Sequence, residues 1–323
     1  MQTSDESDRG YDSESFLSDA STSLASSIFN YKYENGRRYH AFREGEYLLP
    51  NDEKEQDRLD LLHHIFRMML GGRLFRAPIA PNPQRILDYG TGTGIWAMEV
   101  ADEYQSAEVH GVDLSPIQPS WVPPNCKFYV DDVEDTWSYN ADKKFDFIHG
   151  RGMVGAIRDW SRLASQIYAN LKPGGWLEMQ EYETWVKSDD GTLEQAVVLV
   201  EWQKLLEETT AAMSGKRFNL AMELKQVCVE AGFVNVEDHV FKCPIGTWAK
   251  DPKLKEIGRY AQLHILEAVE PFTIAILTRM LGQSFEEAQA TIAGVKADLK
   301  SRKHHLYATY HFITAQKPVD AED

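Results

Sequence analysis

Cysteine is scarce in this chain. Three occur in 323 residues, Cys126, Cys228 and Cys243, and no two have the spacing of a zinc ligand pair or of a disulfide framework. Long apolar runs are missing too: none could span a bilayer, and the first residues show no signal-peptide pattern. Basic charge is in deficit, with 34 Lys and Arg against 50 Asp and Glu, a net charge of −16. That balance argues against nonspecific attraction to nucleic acid or to an anionic membrane, and no basic run offsets it. There is no internal repeat. The expected setting is reducing and intracellular, cytoplasmic or nuclear, with no metal, no membrane and no nucleic acid as partner. Apolar residues make up 43% of the chain, enough to fill a sizeable core.

What is present begins with Arg85-Ile86-Leu87-Asp88-Tyr89-Gly90-Thr91-Gly92-Thr93-Gly94. An apolar run of strand type leads into glycines at alternate positions, and Ile95, Trp96, Met98, Val100 and Ala101 follow at helical spacing. Strand, glycine turn and helix form the first unit of a nucleotide-binding α/β sheet. Glycine lets the backbone turn tightly and lets a ligand approach where a Cβ would intrude. Dinucleotide folds read G-x-G-x-x-G, whereas an acid here precedes G-x-G-x-G. The Asp88 carboxylate would repel a pyrophosphate and attract an ammonium group. The ligand is therefore expected to be nucleoside-like with a cationic amino-acid end, as S-adenosylmethionine is and NAD is not.

Two further strands end in acids. Val109 to Asp113 places a carboxylate where two ribose hydroxyls are gripped. Lys127 to Val133 brings Asp132 to accept from an adenine amino group while the Val133 N–H donates to the ring. Each acid alone could be a helix cap or a solvated loop residue. Three acids at the ends of successive strands are harder to explain that way.

The glycine turn resembles the first cofactor motif of class I S-adenosylmethionine-dependent methyltransferases, and the acids match the next two. Other stretches are similar to the fungal LaeA-like methyltransferases: Tyr33-Glu34-Asn35-Gly36-Arg37-Arg38-Tyr39-His40, Tyr47-Leu48-Leu49-Pro50-Asn51-Asp52, Gly111 to Pro119, and Leu171-Lys172-Pro173-Gly174-Gly175-Trp176. The resemblance implies a Rossmann-like, seven-stranded, mostly parallel sheet with an antiparallel last strand and a helical insertion. It also implies Asp88, Gly90, Gly92, Gly94, Asp113, Leu114, Asp132 and Val133 as the S-adenosylmethionine set. The family contains regulators of secondary metabolism that associate with velvet-domain proteins, and tailoring enzymes that modify small molecules. This chain reads Asp88-Tyr89-Gly90-Thr91-Gly92 where the founding regulators tend to carry Leu and Cys, and its amino-terminal extension is short. Both weaken transfer of the regulator role. A small-molecule acceptor methylated on O or N is the first expectation, and a velvet-binding regulator or protein methyltransferase is the alternative.

Three regions are expected. Residues 1–28 form an acidic, Ser-rich tail that cannot bury enough surface to order itself. Residues 29–83 hold an aromatic arm, read either as packing or as a lid with Arg37, Arg38 and Arg43 available to a carboxylate, and a helix opened by Asn51 and Asp52 with Glu55 completing a capping box. Residues 84–323 form the methyltransferase domain, with a helical insertion at about 246–304. His63 and His64 diverge by roughly 100° on that first helix, so they cannot readily chelate one ion together.

Chemistry beyond the cofactor points to the fourth and fifth strands, Lys144–Gly150 and Trp176–Glu181. His149, beside the Gly150-Arg151-Gly152 turn, is the candidate general base, against the plain alternative of a structural histidine. Gln180, Glu181 and Glu183 are expected at the same crevice, with Glu181 the candidate carboxylate. Past Pro173-Gly174-Gly175, read as a helix stop, Asn219 is expected to cap a helix and Pro271 to start one. Val234–Ile245 and His305–Ala315 are expected to form the closing antiparallel hairpin.

Overall fold

The computed structural model describes residues 31–43, 48–139, 143–213 and 215–321. The tail expected over 1–28, and Phe29 and Tyr47 of the arm, lie outside them.

The arm begins as a hairpin, β1 (Lys32–Glu34) and β2 (Arg37–Tyr39), turning on Asn35 and Gly36, both at positive φ. Arg37 makes two bonds to Asp52, at 2.6 and 2.9 Å. Asp52 in turn caps α1 (Glu53–Met69) by accepting from the Glu55 N–H. The expected capping box closes on one side only, because the Glu55 carboxylate turns inward to Arg58. The arm is therefore packed and ion-paired against the helix start.

The central sheet runs β5-β4-β3-β6-β7-β9-β8. Its strands are β3 (Arg85–Tyr89), β4 (Glu108–Asp113), β5 (Cys126–Val130), β6 (Phe145–Arg151), β7 (Leu171–Tyr182), β8 (Val234–Pro244) and β9 (Tyr307–Gln316). The first five are parallel, while β9 pairs antiparallel with both β7 and β8. The strand order reverses at β3, which puts a ligand crevice beyond its carboxyl end. Alternation along the strands separates two cores. Ile86 and Phe147 pack with α2 (Ile95–Glu103) on one face, and Leu87, Tyr89 and Ile148 pack on the other with α3 (Trp160–Asn170) and α5 (Leu224–Glu230). Both faces of the central strands are covered, as their near-continuous apolar sequence requires.

Four local readings change. β7 starts directly after α3, so Pro173-Gly174-Gly175 lies inside the strand as an irregularity rather than before it. Asn219 caps nothing: a short 3₁₀ turn, Ala221–Glu223, leads into α5 without a side-chain cap. Pro271 does not start a helix. It lies inside α6 (Pro252–Ala275), where burial of Val269, Phe272 and Ile274 outweighs the hydrogen bond it removes. The insertion is also wider than 246–304. Leu199, Trp202 and Leu206 of α4 (Val197–Met213) share one core with α6 and with Val295 of α7 (Phe285–Lys300). The helical layer thus draws on two connections, before β8 and after it. The closing hairpin is as expected, and α7 opens on a complete Ser284–Glu287 capping box.

Candidate active site

Gly90, Gly92 and Gly94 all lie in the left-handed region, at φ of 65°, 57° and 79°. They differ in what surrounds them. A Cβ on Gly90 would meet Met153 Sδ at 2.1 Å, and one on Gly94 would meet the Phe128 ring at 2.4 Å. A Cβ on Gly92 would meet nothing nearer than Leu59 Cδ1 at 3.6 Å. Gly90 and Gly94 make room for the protein itself, whereas Gly92 leaves a space open.

That space belongs to a cleft of about 880 Å³, open to solvent, whose lining includes Gly90, Gly92, Asp113, Leu114, Asp132 and Val133. The Asp113 carboxylate accepts from the Gly92 N–H at 2.8 Å and the Ser115 N–H at 2.9 Å. Burial pushes its pKa up to about 6 against those two bonds. Asp132 accepts from the Glu134 N–H (2.9 Å) and from Arg43 of the arm (2.7 Å), and Arg43 also pairs with Asp135. The arm thus spends its arginines on carboxylates of this same chain. Gly94 lines no part of the cleft; it caps α2 and backs onto Phe128, a correction to its expected place on the ligand.

Asp88 lies at a neck beyond the cleft, with both oxygens engaged. It accepts from Thr91 Oγ1 at 2.6 Å and from His149 Nδ1 at 2.7 Å. His149 is fully buried, flat against Trp96 with ring centroids 3.6 Å apart. Burial drives its pKa down, opposed by Asp88. It lines neither cleft nor neck, so the expectation that it faces an acceptor is corrected: the covered face it shares with Phe147 carries it into the α2 layer. Glu181 is corrected likewise. Fully buried, it accepts from the Met153 and Val154 N–H groups at 2.9 and 3.1 Å, and burial pushes its pKa up to about 8. It shapes the turn after β6 and lines none of the cleft, the neck or the chamber described below.

Two features escaped the sequence reading. Arg151 lines both cleft and neck, resting over the Phe66 ring and donating to His63 Nδ1 at 3.0 Å. Its signal in the sequence is the Gly150-Arg151-Gly152 turn at the end of a parallel strand. The second is a chamber of about 610 Å³ under the helical layer, lined by Trp202 and Gln203 of α4, His264 and Phe272 of α6, and Tyr182, Glu183 and Tyr310 of the sheet. The neck adjoins both spaces: it shares Gly92 and Arg151 with the cleft, and Tyr182 and Phe272 with the chamber. Among the described residues no group of three His, Cys, Asp or Glu could hold a metal ion.

Residues 61–238 match the methyltransferase domain family. Methyltransferase pytC of Aspergillus terreus is 44% identical over 299 residues, which span 92% of this chain and 91% of that protein. The chain is a LaeA-like methyltransferase. The secondary metabolism regulator LAE1 of Cochliobolus heterostrophus is 39% identical over 88% of this chain and 94% of its own length. The protein-methionine methyltransferase laeA of Emericella nidulans is 36% identical over 88% of this chain and 76% of its own. Among solved structures, phosphoethanolamine N-methyltransferase 2 of Haemonchus contortus with S-adenosyl-L-methionine aligns at a TM-score of 0.44 and 21% identity, covering 85% of this chain and 54% of that one.

The cofactor of this LaeA-like methyltransferase is S-adenosylmethionine, and the residues fit it. The cradle at Gly92 is the space a Cβ would fill, and Asp113 and Leu114 beside it would hold the ribose. Asp132 and Val133 line the same cleft and would meet the adenine, and Asp88, toward the neck, would face the amino-acid end. The bound cofactor supplies a methyl group on a positively charged sulfur. What the protein contributes is alignment, worth up to about 7–11 kcal/mol in well-oriented reactions. Arg151 and Gly152 line both the cleft and the neck.

Proposed function

We propose that this LaeA-like methyltransferase is a tailoring enzyme whose acceptor is a small, mostly apolar metabolite held in the chamber. The observation that carries this reading is the chamber itself. It is roofed by α4 and α6, walled by Trp202, Phe272, Tyr182 and Tyr310, and adjoins the neck that borders the cofactor cleft. A protein acceptor or a velvet-type partner calls instead for an open cleft or a broad apolar face. Of the exposed large apolar side chains, Val197, Val198 and Val200 lie close together on α4, while Tyr33, Trp121, Leu263 and Val319 are scattered over the molecule.

The test is to give purified protein and methyl-labelled cofactor either a metabolite extract or a nuclear extract. Label is expected in the small-molecule fraction, and filling the chamber by Ala268→Phe should abolish it while S-adenosylhomocysteine still binds. Label on protein alone, undiminished by Ala268→Phe, would sink the tailoring role and favour the activity named for the relative from Emericella nidulans.

A further inference from the structure

The chamber is apolar except for a few polar side chains, and two of those are fixed by neighbours outside it. Arg58 of α1 is clamped by Glu55, with bonds of 3.0 and 2.5 Å, and its Nη1 lies 2.6 Å from His264 Nε2. A guanidinium only donates, so Nε2 must accept and the imidazole hydrogen sits on Nδ1. No described residue engages Nδ1. Burial and the adjacent Arg58 keep the ring neutral. Gln203 is fixed in the same sense: its Oε1 accepts from the Val186 N–H at 2.7 Å, which leaves the amide NH₂ as a donor. The one carboxylate on the lining, Glu183, is paired with Lys187 and His311. The chamber thus offers N–H donors backed by a guanidinium, and its anion is already matched.

We propose that His264 is the specificity-determining donor of this chamber, and that the acceptor is an acidic enol or phenol bound as its oxyanion, with Arg58 and Glu55 as positioning residues. This rests on the tailoring reading above. A protonated amine is disfavoured because it only donates, and the open positions of His264 and Gln203 donate too. The proton leaves the acceptor for solvent before transfer. An electron pair of the enolate or phenolate then forms the bond to the methyl carbon as the carbon–sulfur bond breaks. The sulfonium becomes a neutral thioether and the oxyanion a neutral product. No base is consumed in that step, consistent with the burial of His149 and Glu181 away from the chamber.

The probes are 4-hydroxycoumarin, an acidic planar enol, and 4-aminocoumarin, titrated calorimetrically into the full chain saturated with S-adenosylhomocysteine. The enol should bind the wild type roughly ten- to a hundredfold tighter than the amine, the scale of one hydrogen bond to a charged group. His264→Phe keeps a ring in place and should erase that preference, while His264→Gln, which keeps a donor, should restore part of it. Cofactor-product affinity reports folding in each variant. Equal binding of the two probes, or a preference that survives His264→Phe, overturns the donor assignment alone. Failure of both probes to bind a protein that still takes up S-adenosylhomocysteine overturns the chamber as a small-molecule site, and this inference with it.

Discussion

The cofactor cleft and the acceptor chamber lie side by side but are built from different materials. The cleft is made largely of backbone: a glycine turn, three strand ends, and carboxylates placed by the strands that carry them. Asp113 is held by N–H groups of Gly92 and Ser115, none more than 21 positions away. The chamber is made of side chains brought from afar. Arg58 and His264 are 206 positions apart, and Trp202 donates to Thr273 across 71. A site made by local turns tolerates little change at a few positions. A site made by distant side chains can change its lining without touching the turn. One surface can therefore keep its ligand while the other is altered.

Substitutions can break that contrast, and the largest effect is expected at Gly92. Gly92→Val forces a β-branched residue to φ near 57° and fills the open cradle. It should abolish S-adenosylhomocysteine binding by calorimetry while circular dichroism stays native. Gly94→Ala drives a Cβ into Phe128, so its loss should appear in melting temperature before affinity. A folded, binding-competent Gly92→Val protein would remove the turn from the cofactor site.

Next comes Asp113→Ala, which should cost about 1.5–3 kcal/mol of cofactor-product affinity, the scale of bonds to a charged group. The acid also has a pH signature. With its pKa raised to about 6, affinity should weaken as pH falls through 6, because the protonated carboxyl loses acceptor strength. A flat affinity between pH 5 and 8 would contradict this.

His149→Gln sharpens the contrast from the structural side. Losing the ring on Trp96 and one bond to buried Asp88 should cost about 1–3 kcal/mol of stability, read as a lower melting temperature. Turnover per folded molecule should change little. A large fall in turnover at unchanged stability would return His149 to the chemistry.

The smallest effect concerns Glu181. Its folded pKa, about 8, exceeds the unfolded value, so the stability it contributes is complete at low pH and drains away as pH rises through 8. Glu181→Gln cannot ionise. The gap in melting temperature between wild type and this variant should therefore narrow from pH 5 to 8.5. A gap that widens would reverse the sign assigned here.

The strand ends and the glycine turn were legible because both depend on residues adjacent in sequence. Asp113, Asp132 and Gly92 were singled out for that reason, and all three line one cleft. The chamber was not legible, since no local pattern ties Trp202 or His264 to Tyr310. Pro271 misled because a proline usually marks a helix start, whereas here it and its neighbours are buried inside α6. His149 was misjudged for a different reason, although the clue was present. It shares a face with Phe147, and a central parallel strand has both faces covered, so a histidine there is buried first and reactive second.

The ion pairs of the arm bear on the order in which this protein folds. Arg37 reaches Asp52 over 15 positions and Arg38 reaches Asn51 over 13, so closing that loop costs little chain entropy. The hairpin and the first turn of α1 can form as a local unit early, presenting Glu55 and Arg58 before their distant partner arrives. The chamber must wait for α6 to return across two hundred residues, and contacts of such span are the slow ones. During folding the cofactor half thus has its parts in hand while the acceptor half is still being assembled.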